Sequence, residues 1–188
     1  MKLDITEKLR ILEEVNVDID DNIIKVKGPK GSNEKRVFHP RVKIENKDNL
    51  IILTSKKATK RDKTILNTLK AHIRNLMKGV KEGYEYQLKI CSGHFPMNVS
   101  IQNDQLIIKN FFGEKKPRKV RILEGAEVKI EGDIIKVNGI DIDTVSQTAS
   151  RIELTTKRNG FDRRIFQDGI WIIKKGKWNK NSKDNSLY

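Results

Sequence analysis

The chain has 188 residues, enough for one domain or for two small ones that each bury a modest core. Its 39 basic and 25 acidic residues leave a formal net charge of +14, which points to a polyanion as partner: RNA, DNA or an anionic membrane surface. One cysteine, Cys91, excludes an internal disulfide and any multi-cysteine zinc site, and no apolar run approaches the roughly 20 residues that a membrane span needs.

The first residues, MKLDITEKLRILEE, carry Asp4, Glu7, Glu13 and Glu14 and no apolar core, a pattern of neither secretory signal nor transit peptide. From there a hairpin pattern recurs four times: an apolar–polar–apolar triplet, a polar turn, then a second apolar strand. The copies span Val17 to Val26, Val42 to Leu53, Val99 to Ile108 and Val128 to Val137. Period-two alternation closed by Asp, Asn or Gly predicts antiparallel hairpins with one buried face. After each pair of hairpins the period becomes 3.6. Leu66, Leu69, Ile73, Leu76, Met77 and Val80 share one stripe between Asp62 and Val80, and Val145, Ala149 and Ile152 share another between Asp141 and Lys157.

The order hairpin, hairpin, helix therefore occurs twice. It predicts an α+β fold of two tandem domains from an internal duplication, each an antiparallel sheet of hairpins covered by one helix. The domains are 1–83 and 84–175, followed by a basic polar tail, 176–188, whose composition is that of a disordered segment. The first and fourth hairpins resemble each other most, each preceded by RILE and followed by a glycine, Gly28 or Gly139. Tandem order instead pairs the first with the third, and the element order is the stronger guide.

Catalytic and metal chemistry find little support. Cys91 and His94 are three residues apart, which on a strand turns them to opposite faces, and no group to orient the histidine is evident. His39, His72 and His94 show no metal-ligand spacing. Gly28-Pro29-Lys30-Gly31 lacks the phosphate-loop frame and follows a strand, so it reads as a turn. Lys30, Lys35 and Arg36 remain possible phosphate contacts from it. No cofactor, metal or catalytic residue is expected.

Two stretches suit nucleic acid better. His94 to Ile122 carries a hairpin, then Phe111-Phe112-Gly113, then Lys115, Lys116, Arg118, Lys119 and Arg121 on a predicted loop. Further on, Lys157, Arg158, Arg163 and Arg164 surround Phe161 and lead to Trp171, Lys174, Lys175, Lys177 and Trp178. Arginine and aromatic planes interleaved in this way can stack on bases or sugars. The line Lys63, Asn67, Lys70, Arg74 and Lys78 on the first helix reads instead as an ordinary solvated face.

RILEEVNVDIDDNIIKVKGPKG, NLMKGVKEGYEYQLK, HFPMNVSI, KNFFGEKKPRKVRI, GIDIDTVSQTASRI and DRRIFQDGIWI together cover nearly the whole chain. In that order they resemble the universal large-subunit ribosomal protein six family, protein nine in the eukaryotic count. HFPMNV, NFFGEK and RRIFQDGIW resemble its eukaryotic and archaeal branch. The resemblance implies two tandem α+β domains and a non-catalytic protein in the large ribosomal subunit. It implies binding to large-subunit ribosomal RNA near the sarcin–ricin region, with neighbouring ribosomal proteins and with translation GTPases nearby. No membrane partner and no homo-oligomer are expected. Localisation would be cytoplasmic, with assembly in the nucleolus if the source is eukaryotic. Carried onto this chain, the RNA contacts fall at Lys115 to Arg121, Lys157 to Arg164 and Lys174 to Trp178. The chain departs from the family pattern at Gly31 to Arg36, read as a rewritten loop, at a shortened stretch from Leu53 to Asp62, and in the tail. A non-ribosomal regulatory RNA-binding module is the alternative, and an enzyme acting on nucleic acid would need an acid or histidine cluster that the sequence does not show.

Overall fold

The alternating stretches of the first half become strands, and the 3.6-period stretch becomes a helix. In the computed structural model, which describes residues 3–20, 23–47, 49–162 and 164–176, they are β1 (Leu3–Arg10), β2 (Asn16–Asp20), β3 (Ile23–Gly28), β4 (Gly31–Arg36), β5 (Lys43–Lys47), β6 (Leu50–Ala58) and α1 (Lys60–Glu82). The second half runs β7 (Tyr84–Cys91), β8 (Asn98–Gln102), β9 (Gln105–Lys109), a single 3₁₀ turn (Phe111–Gly113), β10 (Arg118–Arg121), β11 (Ala126–Glu131), β12 (Ile134–Gly139), α2 (Ile142–Thr155) and β13 (Gly169–Lys174). The chain divides into two compact units, one ending at Gly83 and the next beginning at Tyr84.

Each unit is α+β and antiparallel, but its hairpins are shared between two sheets. The first unit has the strand orders β1-β6-β5 and β2-β3-β4. The second has β8-β9-β10 and β11-β12-β7-β13. Element for element, β7 stands where β1 stands and β10 where β4 stands. β13 is an addition on the outer edge of β7. The hairpins separate because each gains a third strand from outside it: β1 beside β6, β4 beside β3, β10 beside β9 and β7 beside β12. Gly31–Arg36, which the residues GSNEKR predict as a loop, is strand β4. Its backbone pairs with β3 from Ile23↔Arg36 to Gly28↔Gly31, a ladder that asks little of the side chains.

The topology accounts for the likeness of the first and fourth hairpins. By position, β2-β3 corresponds to β8-β9, as the element order predicts. Yet β3 and β12 both lie centrally in a sheet, alternate buried apolar residues (Ile24 and Val26; Ile135 and Val137), and end in a glycine against a helix. A Cβ on Gly28 would stand 2.8 Å from Val80 Cγ2, and one on Gly139 would stand 2.6 Å from Val145 Cγ2. The two segments thus share an environment as well as a sequence pattern.

All six predicted stripe residues of α1 are buried. The helix starts at Thr59, whose hydroxyl accepts from the Asp62 N–H while the Asp62 carboxylate accepts from the Thr59 N–H. Those bonds from Thr59 hold the Asp62 carboxyl below its usual pKa. It runs through Gly79 and stops at Gly83, where φ is +75°. In α2, Val145, Thr148, Ala149 and Ile152 are buried, and Asp141 is the N-cap.

A cation closes the C-terminal end of each helix. Lys30, in the β3–β4 turn, donates its N–H to Val80 O at 2.9 Å and its ammonium to Glu82 O. Arg118, at the start of β10, donates from Nη1 to Thr155 O at the end of α2. Both satisfy carbonyls that a helix end leaves without partners, at the negative pole of its dipole. Lys30 is therefore engaged inside its own unit, and so is Arg118.

Candidate nucleic-acid interface

Three connections of the second unit bring its aromatic side chains together: residues 92–97 after β7, residues 110–117 between β9 and β10, and residues 156–168 between α2 and β13. Phe111 is buried and packs edge-on against Phe112, with ring centroids 4.8 Å apart. Phe112 in turn lies 5.7 Å from Phe161 and 6.1 Å from Phe166. Phe161 meets Phe166 edge-on at 5.0 Å, and Phe166 lies 5.0 Å from the His94 ring. The backbone makes room with left-handed residues at Asn110, Phe112 and Gly113 (φ +61°, +49° and +74°), so that Phe95 can lie close over Gly113. Rings at centroid distances of this kind attract through their quadrupoles and stiffen the three loops against one another.

Two arginines cover the rings. The Arg118 guanidinium carbon lies 4.3 Å from the Phe111 centroid, and that of Arg158 lies 4.3 Å from Phe161 and 5.2 Å from Phe112. Arg118 also forks onto Glu114, with Nε to Oε2 at 2.8 Å and Nη2 to Oε1 at 2.6 Å. That hydrogen-bonded fork holds the Glu114 carboxyl below its usual pKa. The predicted cationic loop is thus corrected in part. Arg118, Lys119 and Arg121 belong to strand β10, where Arg118 and Val120 turn inward and Lys119 and Arg121 are exposed. Only Lys115 and Lys116 remain on the loop, both exposed.

Lys157 and Arg158 are exposed just beyond α2. Arg164 is exposed but grips its neighbour Asp162, with Nη2 to Oδ2 at 2.8 Å, a bond that lowers the pKa of Asp162 and raises that of Arg164. Lys174 stands 3.6 Å from Glu85 at the far end of β13, five strand residues or roughly 16 Å along the strand from Gly169. Lys175 follows it. Neither lysine has a ring of the cluster among its contacts. Arg163, Lys177, Trp178 and the tail beyond Gly176 lie outside the described residues.

His94 departs from expectation. It sits past the end of β7, so strand parity does not govern it, and it has an orienting carboxylate. Asp168 accepts from the N–H groups of Gly93 (2.6 Å) and His94 (2.9 Å), and its Oδ2 meets His94 Nδ1 at 2.6 Å. Burial of Asp168 works against its charge, but the His94 backbone and ring and the Gly93 N–H outweigh it, and its pKa lies below the ordinary carboxyl value. No local pattern in the sequence marks Asp168, 74 residues from its partner. The free thiol of Cys91 is half-buried on β7.

On α1 the basic line is not a uniformly solvated face. Lys63 and Asn67 are exposed, whereas Lys70 is half-buried and bonds Glu7 at 2.7 Å. Arg74 and Lys78 are half-buried, and burial together with the Arg74 charge lowers the Lys78 pKa. Among the described residues no cluster of three His, Cys, Asp or Glu side chains has the arrangement of a metal site, and no helix is long and apolar enough to cross a membrane.

The sequence of the chain matches a known family. The model for "Ribosomal protein L6" matches residues 13–83 and 95–169 of the chain, once in each unit. Three similar relatives carry the name large ribosomal subunit protein uL6. The one from Methanobrevibacter smithii is 40% identical over 171 residues, spanning 91% of this chain and 96% of the relative. The one from Methanosarcina mazei is 41% identical over 175 residues, 93% and 99% of the two chains. The one from Aeropyrum pernix is 43% identical over 172 residues, 91% and 94%. The chain belongs to the L6 family of ribosomal proteins, in its archaeal and eukaryotic branch.

Proposed function

We propose that this protein is a non-catalytic, structural constituent of the large ribosomal subunit that binds large-subunit ribosomal RNA and so supports translation in the cytoplasm. The second unit, residues 84–175, carries the main RNA surface. Its contacts are the exposed Lys115, Lys116, Lys119, Arg121, Lys157 and Arg158, and it lies near the sarcin–ricin region, beside the site used by translation GTPases. Neighbouring ribosomal proteins complete its surroundings. The observation that carries this reading is the cluster of rings on which three loops converge, two of which, 110–117 and 156–168, carry the exposed cations Lys115, Lys116, Lys157 and Arg158.

The physical role follows from the charge. Each phosphate neutralised by lysine or arginine releases condensed counterions, so affinity falls steeply with salt. Double-stranded RNA keeps its bases in a deep, narrow major groove, so recognition rests on backbone shape and exposed loops. A protein that engages such features at several points clamps RNA segments that are distant in sequence. A sedimentation profile of ribosomal subunits tests the assignment. Tagged protein should follow the large-subunit peak and leave it only under salt that strips other ribosomal proteins. Protein found at the top of the gradient under mild salt would favour the regulatory RNA-binding module.

A further inference from the structure

We propose that Phe161 and Arg158 form a stacking platform for one unpaired base of the bound RNA, a role that rests on the RNA-binding reading of the second unit. The rings of this cluster are not alike. Phe111 is buried, and Phe112 and Phe166 are half-buried between neighbours, whereas Phe161 remains 38% exposed. Phe161 is nevertheless held firmly: Phe166 meets it edge-on at 90°, Phe112 lies 5.7 Å away, and Arg158 covers it at 4.3 Å. A fixed, exposed ring is a surface prepared for a flat occupant, because little rotamer freedom remains to be lost on binding.

The arginines point the same way. Arg118 gives its charge to Glu114 and to the end of α2, and Arg164 gives its charge to Asp162. Arg158 is exposed; its charge helps to hold the Glu114 carboxyl below its usual pKa, but among the described residues it forms no ion pair within 4 Å, and its close partners are the two rings. A guanidinium on an aromatic ring keeps its positive charge and offers a planar group for stacking. The occupant must therefore be planar and apolar on its face and carry negative charge at its edge. An unstacked nucleotide meets all three conditions: its base is planar and apolar on its face, and its phosphate carries the negative charge. The apolar side chain of a protein partner would satisfy only the ring.

The test uses the full chain and deproteinised large-subunit RNA, with base-specific chemical probing and a salt series of affinities. Phe161→Leu keeps the site apolar, and Arg158→Lys keeps its charge, and neither position is part of the buried core. Each variant should bind at least about fivefold more weakly, the loss of a stacked base. The salt slope should be unchanged, because both variants keep every cation that neutralises a phosphate. One unpaired base shielded by the wild-type protein should become reactive with both variants, while both remain folded under the binding conditions, their unfolding midpoints lowered only by the lost ring and cation–π contacts. If the wild-type protein binds and both variants match it in affinity and base protection, the platform is overturned and the patch faces something other than RNA. If the wild-type protein does not bind the RNA, the RNA-binding reading fails first and the platform with it.

Discussion

The Nδ1 atom of His94 lies 2.6 Å from Oδ2 of Asp168, across 74 residues of chain. The same carboxylate takes two backbone N–H groups from the turn that follows β7, and it stands immediately before β13. One side chain, 3% exposed, thus pins the exit of β7 to the entry of β13. It also sets His94 beside Phe166, which links two of the three loops that carry the ring cluster.

Asp168→Asn should remove the charged acceptor and leave at least one N–H poorly satisfied, at a cost of about 2–3 kcal/mol. Urea unfolding at neutral pH measures it. The folded state holds the Asp168 pKa below its ordinary 3.8. Its contribution is therefore fully present above the unfolded value and is lost as the pH falls through the folded one. The gap between wild type and variant should be constant near neutrality and close only in strong acid. A gap that closed on raising the pH would contradict the assignment.

Arg118→Gln should destabilise the protein by about 1–2 kcal/mol, because it breaks a partly buried fork to Glu114 and uncovers a carbonyl of α2. Lys119→Gln and Arg121→Gln, on the exposed face of the same strand, should each stay within about 0.5 kcal/mol of wild type. Thermal unfolding of the three variants separates the structural arginine from its neighbours.

Changing Lys115, Lys116, Lys119 and Arg121 together to glutamine should leave the fold intact and impair entry into the large subunit. The salt slope of binding to ribosomal RNA should fall by roughly 0.7–0.9 for each phosphate that is no longer neutralised. Arg61→Gln with Lys63→Gln, two exposed cations at the start of α1, is the control and should change the slope less for each charge removed. The reverse result would move the RNA surface to the first unit.

Gly28→Ala places a methyl group 2.8 Å from Val80 Cγ2 and 2.9 Å from Val80 O. Either β3 or the end of α1 must shift, at a cost of about 1–3 kcal/mol. Loss of amide-exchange protection for the Lys30 N–H, which bonds Val80 O, would localise the damage to the helix end.

Both helices and all four hairpins are legible in the sequence because their signal is local. An apolar residue every three or four positions, or every second one, reports which side of an element faces the core wherever that core lies. The six large apolar side chains that α1 buries follow from spacing alone. The resemblance to the family likewise rests on contiguous stretches such as HFPMNVSI and KNFFGEKKPRKVRI.

What only the tertiary structure decided involves residues far apart in sequence. β4 has no apolar residue, and it is a strand because β3 supplies the backbone ladder. The same applies to the choice among cations. Lys115, Arg118, Arg158 and Arg164 read alike as basic residues near phenylalanines. Arg118 is committed to Glu114 and Thr155, Arg164 to Asp162, and Arg158 to two rings. A positive charge in a sequence states that an anion is wanted, while whether a carboxylate, a helix end or an RNA phosphate supplies it depends on distances that only the folded chain sets.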